Sequence, residues 1–400
     1  MGEDSSRRDS AAYVFLAFLK LGCTSFGGPI AHIGYFRHEF VERRKWLDDK
    51  TYADLVALCN FLPGPASSQI GIAVGNSHAG LAGGLAAWLG FTMPSAAALI
   101  LFAYGFTALG LNASAGWLHG LKIAAVAVVA QAVWNMGHNL CPDRIRASFA
   151  IAAALLVFAI PNAYGQLAAI AAGAIAGWML LAPAKLAEAR EARFAIGRPI
   201  AITAWVFFFG LLALLPLARQ GSASPVLEIL DSFYRTGSLV FGGGHVVLPL
   251  LRNEVVPPGW VSDDVFLAGY GAAQAVPGPL FTFAAYLGTV TDHPPGGIPG
   301  GLLALGAIFL PSFLLVIGAL PYWEALRSKS AMQRALSGIN AAVVGLLLAA
   351  LYDPVWTSSI RSKPDVAIAI TAFALLAFWK LPPLIVVLFA ALAGFGLGAF

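Results

Sequence analysis

Charge is what this sequence has least of. Asp, Glu, Lys and Arg make up 11% of its 400 residues, against about 25% in soluble domains, so a soluble globular fold is excluded. The formal charge of +4 comes from Lys and Arg in the polar breaks, and no nucleic-acid partner is expected. Cysteine is scarce too. Cys23, Cys59 and Cys141 are odd in number and lack paired spacing, which excludes a disulfide framework and a zinc pattern. There is no HExxH pair, acidic metal motif or nucleophile–base constellation, so the chain reads as a non-enzyme with no metal and no cofactor. A cleavage site of small residues is also missing after the first apolar run. That run contains Lys20 and is read as part of the mature protein rather than a signal peptide.

What is present is apolar length. Hydrophobic residues make up 59% of the chain, in segments near bilayer length separated by short polar breaks. The segments fall at about 11–33, 52–76, 80–109, 115–137, 147–162 and 164–183, then a connector at 199–218. They resume at about 226–251, 264–290, 297–320, 333–353, 365–379 and 382–400. This pattern predicts an all-α polytopic membrane protein.

The second set repeats the first. Lys20-x-Gly22 returns as Arg235-x-Gly237, and Phe26-Gly27-Gly28 as Phe241-Gly242-Gly243. Arg37-x-Glu39 returns as Arg252-x-Glu254, followed by Trp46 or Trp260 and by the Asp pairs 48–49 or 263–264. Pro63-Gly64-Pro65 returns as Pro277-Gly278-Pro279, with Asn60 and Gln274 three residues ahead. Pro94-Ser95 returns as Pro311-Ser312. The chain is an internal duplication, divided as 1–183 (first repeat), 184–222 (charged linker and connecting helix) and 223–400 (second repeat).

An odd connector between two six-segment units inserts the second unit upside down, the inverted-repeat architecture of many secondary transporters. Charge agrees. The loop after the first segment holds Arg37, Arg43, Arg44, Lys45 and Lys50, whereas its counterpart holds only Arg252, so the first faces the cytoplasm and the second faces away. An inside N-terminus with an inside first loop requires the first two segments either to be re-entrant hairpins or to break the charge rule, and parity does not choose. The prolines and glycines within them favour broken elements, which survive at membrane depth only when buried in protein or lining a cavity. Arg361 and Lys363 fall on the side this scheme makes external.

Several residues could carry chemistry. Lys20 and Arg235 are cations inside apolar segments at matching positions, which implies a partner, a cavity or a substrate. The alternatives are snorkelling, or pairing with Asp231 or Glu228. Gly27-Gly28 and Gly242-Gly243 let backbone amides approach an anion, with Ser25, Thr24, Ser238 and His245 as further donors, or simply let helices pack closely. Pro63-Gly64-Pro65 and Pro277-Gly278-Pro279 place Pro65 and Pro279 at the start of new half-helices. Ser68 and Thr282 follow, with Ser67 beside the first, and Asn60 and Gln274 precede. Arg37, Glu39, Arg252 and Glu254 read as gate or coupling ion pairs. Asp54, Glu228, Asp231, His32, His245 and Asp353 are further titratable candidates.

Phe26-Gly27-Gly28-Pro29, Trp46-Leu47-Asp48 and the two Pro-Gly-Pro turns together resemble the chromate ion transporter (CHR) family, in its long two-domain bacterial form. The resemblance covers nearly the whole chain. It implies two oppositely oriented halves and proton-motive export of chromate across the bacterial inner membrane, conferring chromate resistance. Sulfate, of similar size and charge, is the alternative substrate, and a membrane-embedded enzyme is the alternative of another class. A homo-oligomer is left open. The second half departs from the motif, with Val240 for Ser25 and Gly244 for Pro29, so the halves are expected to contribute unequally.

Overall fold

A computed structural model describes residues 10–26, 28–108, 116–161, 163–182, 196–222, 224–241, 244–323 and 329–398. Gly27, Gly242, Gly243, most of the charged linker and Arg327 lie outside the described residues. The regular structure is helical throughout the described residues.

The first repeat contains α1 (Ala11–Thr24), α2 (Gly28–Phe36), α3 (Asp49–Phe61), α4 (Ala66–Ala108), α5 (Gly116–Leu140), α6 (Arg144–Ala159) and α7 (Ala163–Leu180). Helix α8 (Arg198–Gly221) connects. The second repeat contains α9 (Pro225–Leu239), α10 (Val247–Val255), α11 (Asp263–Ala275), α12 (Phe283–Val290), α13 (Gly297–Ala319), α14 (Ser330–Ala350), α15 (Lys363–Ala377) and α16 (Pro383–Gly398).

The caps explain why equivalent helices begin where they do. Asp48 accepts from the Thr51 amide at the head of α3, and Ser262 accepts from the Val265 amide at the head of α11. Each satisfies an amide that the first helical turn leaves free. The first segment of each repeat is broken as expected. Helix α1 stops after 14 residues, about 21 Å, short of a roughly 30 Å hydrocarbon core. Gly28 restarts the chain with φ +75°, a left-handed value that glycine adopts without penalty. Helix α4 is itself kinked at Ala79 and Gly80.

Two boundaries differ from the sequence expectation. The basic loop is not all loop, because Arg37–Arg43 continues α2 as a π-helical turn. Likewise α10 runs on to Val255, so Arg252 and Glu254 sit on a helix. A polar end does not stop a helix whose charged side chains find partners, and those partners are described below.

Among the described residues, five helical stretches are long and apolar enough to cross a membrane: Ala66–Gly105, Gly116–Leu140, Arg198–Gly221, Gly297–Tyr322 and Ser330–Ser359. The connector is the least covered, with 17% of its apolar window buried and Ile202, Val206 and Phe209 exposed. An apolar helix bare on most sides suits lipid rather than water.

The two repeats interlock. Helix α5 of the first packs on α15 and α16 of the second, and α14 of the second packs on α6 and α7 of the first. Small residues allow it: a Cβ on Gly120 would lie 2.1 Å from the Ala390 carbonyl oxygen, and one on Gly338 would lie 2.0 Å from that of Gly173. These contacts are reciprocal: each has its counterpart with the roles of the repeats exchanged.

Candidate functional site

The same exchange governs the Pro-Gly-Pro turns. The Gly64 amide, at φ +119°, donates to the Val240 carbonyl at 2.6 Å. The Gly278 amide, at φ +106°, donates to the Ser25 carbonyl at 3.0 Å. Ser25 and Val240 hold equivalent places, so each turn is latched to the broken first segment of the other repeat. The long helices complete the crossing. A Cβ on Gly64 would lie 2.9 Å from Ser312 Oγ, and one on Gly278 would lie 2.8 Å from Ser95 Oγ. The broken segments also approach each other, since a Cβ on Gly244 would lie 3.6 Å from Pro29 Cγ.

Buried hydroxyls gather here without partners. Ser25, Ser68 and Ser312 are each at most 2% exposed, and their Oγ atoms make no hydrogen bond. Gln69 Oε1 and Gln274 Nε2 are buried and unpaired as well. Each such group costs about 1–3 kcal/mol, so several together mark a place built for something other than stability. Pro65 caps α4, and the amides of Ala66, Ser67 and Ser68 open its first turn, where no intrahelical acceptor exists. Not every expected donor is free. Thr282 turns back onto the Pro279 carbonyl at 2.7 Å, Thr24 onto Lys20, and Ser238 onto Tyr234. A 3₁₀ turn, Leu280–Thr282, follows Pro279 before α12 begins. His245 Nδ1 lies 2.9 Å from the Tyr270 hydroxyl. Asn60 is exposed, whereas Gln274 is half-buried.

The two cations have different surroundings. Lys20 is 56% exposed, with Nζ 4.0 Å from Glu39 Oε2. Arg235 is 26% exposed and holds Asp231 at 2.9 Å and Glu254 at 3.0 Å, while Arg219 reaches Asp231 from α8. Neither Arg37–Glu39 nor Arg252–Glu254 forms a mutual pair. Arg37 bonds Asp49 at 2.9 Å and also contacts Glu42, and Arg252 bonds Asp263 at 2.7 Å. Glu39 is held by Arg43 at 2.9 Å and Arg44 at 2.6 Å. Burial pushes the Glu39 carboxyl up, but Arg44 and Arg43 outweigh it and hold it below its ordinary value. Burial dominates at Glu254 and raises it despite Arg235.

Some features escaped the sequence reading. Lys122 on α5 is 1% exposed and bonds Asp264 at 2.7 Å, with Arg361 3.9 Å from the same carboxylate. A lysine inside an apolar segment was a signal, but the second repeat lacks it. Arg361, on the side the charge rule disfavours, thus has a partner. Trp46 stacks on His78 with centroids 3.9 Å apart, and Trp260 on His293 at 4.3 Å. These two stacks recur in register, and matching the histidines across the repeats would have found them. A cavity of about 490 Å³ opens beside Trp46 and Asp48, away from the crossed turns.

The family described as Chromate transporter matches residues 12–178 and again 227–395. A chromate transport protein of Pseudomonas aeruginosa is 31% identical, over 95% of this chain and 91% of its own. A probable chromate transport protein of Synechococcus elongatus is 26% identical over 94% and 93%. A chromate transport protein of Cupriavidus metallidurans is 25% identical over 94% and 90%. No solved structure matches the chain. With its apolar helices, the double match makes this a multi-pass membrane protein.

Proposed function

Because the chain belongs to the chromate transporter family, we propose that it is a secondary transporter that exports chromate across the inner membrane by alternating access. The single observation that carries this reading is the reciprocal crossing of the turns, Gly64 to Val240 and Gly278 to Ser25, around buried hydroxyls without partners. The two repeats take opposite orientations, so the turns form one central site with two ways out. Ser25, Ser68, Ser312 and Gln274, with the first amides of α4, offer neutral donors to a tetrahedral oxyanion. Lys20 supplies attraction without neutralising the dianion, and release stays feasible.

Export needs no proton antiport. A dianion leaving an inside-negative cell gains about 4.6 kcal/mol per 100 mV from the potential, twice the value for one charge. The electrical part of the proton motive force is therefore the natural drive. Chromate uptake into everted vesicles tests this. Flux that follows an imposed potential and falls in Lys20→Ala and Ser68→Ala supports the reading. Sulfate flux without chromate flux would replace the substrate, and no flux of either would discard the transport site.

A further inference from the structure

One buried group sits at the crossing and joins the two broken elements of the first repeat. His32, on α2, is 1% exposed. Its Nε2 lies 3.2 Å from the Ser25 carbonyl, the same oxygen that accepts the Gly278 amide of the other repeat. Its Nδ1 lies 3.2 Å from Ser67 Oγ, in the first turn of α4. These contacts fix the ring. A carbonyl only accepts, so Nε2 carries the proton, and Nδ1 of the neutral imidazole accepts from the Ser67 hydroxyl. In this state the Ser67 proton is spent on His32 and is not offered to an anion beside Ser68 and Ser25, whose hydroxyls have no partner.

We propose that His32 is a proton-operated donor switch for the oxyanion site. A proton from solvent binds Nδ1 and forms a new N–H that donates to Ser67 Oγ, while Nε2–H stays on the Ser25 carbonyl. The Ser67 O–H then rotates away and donates into the site, which now also carries the imidazolium charge. Proton and anion therefore bind together, and each strengthens the other.

The charged groups nearby are committed elsewhere. In the same hairpin Lys20 faces Glu39, and Arg37 faces Asp49. On the packed elements, Tyr52 of α3 donates to the Ile33 carbonyl, and Phe91 of α4 meets the imidazole edge-on. His245, at the matching break, is engaged with Tyr270. The position equivalent to His32 in the second repeat is Val247, so the switch belongs to one repeat only. A dianion moving with one proton still carries net negative charge outward, so this coupling is compatible with electrical drive.

The inference rests on the oxyanion reading of the site. It is tested by calorimetric chromate binding to the purified full-length protein between pH 5.5 and 8, in buffers of different ionisation heat, which count protons taken up per anion. We expect wild type to take up protons and to bind about tenfold more tightly at the acid end than His32→Gln. Chromate's own protonation is common to all variants and cancels. Ser67→Ala keeps the imidazole, serves if His32→Gln loses its monodisperse elution, and is expected to lose most of the acid-side gain. Equal proton uptake and equal pH dependence in wild type and both variants would overturn the switch while leaving the site standing. Absence of chromate and sulfate binding by wild type at every pH would overturn the site reading, and the switch with it.

Discussion

The two repeats share their turns and differ in their charges. Both keep a left-handed glycine whose amide crosses to the partner repeat, a capped helix after the Trp, and a Trp–His stack. Yet the cation of the first repeat is open and loosely placed, whereas its counterpart is locked between two acids. The acids follow suit, Glu39 held below its usual range and Glu254 raised above it. The lesson is that backbone latches must match for two copies to fit one another, while side chains around them are free to specialise.

Four experiments break or sharpen that comparison. The largest effect is expected from Arg235→Ala, which leaves Glu254 without its cation and Asp231 with Arg219 alone, and should cost about 3 kcal/mol, the low end for breaking a buried pair. Lys20→Ala should leave stability within about 0.5 kcal/mol, and thermal unfolding in detergent reads both. Next come Gly64→Ala and Gly278→Ala, which force a side chain into φ +119° and φ +106° against Ser312 and Ser95. Each should cost about 1–3 kcal/mol and reduce chromate flux alike. A large difference between them would mean that the latches are not equivalent.

The acids give the third. Glu39 binds its proton less tightly when folded, so it contributes stability above its ordinary value of 4.5, which is lost as pH falls through the lower folded value. Glu254 has the opposite sign. Its stability contribution is present below 4.5 and is lost as pH rises through the raised value. Glu39→Gln should therefore flatten the acid limb of a melting-temperature profile, and Glu254→Gln the limb toward neutrality. The smallest effect separates the amides. Asn60→Ala, at an exposed position, should leave flux within about twofold, whereas Gln274→Ala should lower it several-fold.

Much of this was legible in the sequence because duplication prints each constraint twice. The Pro-Gly-Pro turns and the break before Gly28 are local, and local chemistry has local signatures. Features present once were harder to read. Lys122 and His32 have no counterpart in the second repeat, and their partners, Asp264 and Ser67, lie 142 and 35 residues away. The ion pairs show the same limit: spacing suggested Arg37 with Glu39, but folding gave Arg37 to Asp49 and Glu39 to Arg43 and Arg44. Two side chains near in sequence on a helix need not face one another.

The sequence by itself determined the membrane setting, the duplication and the places where the helices break, since hydropathy, repetition and proline act over a few residues. Only the tertiary structure decided which repeat each turn serves, which cation is neutralised and which hydroxyls stay unpaired. The turn latches join segments some 200 residues apart, and the ion pairs join side chains on different helices, so no local pattern records their geometry.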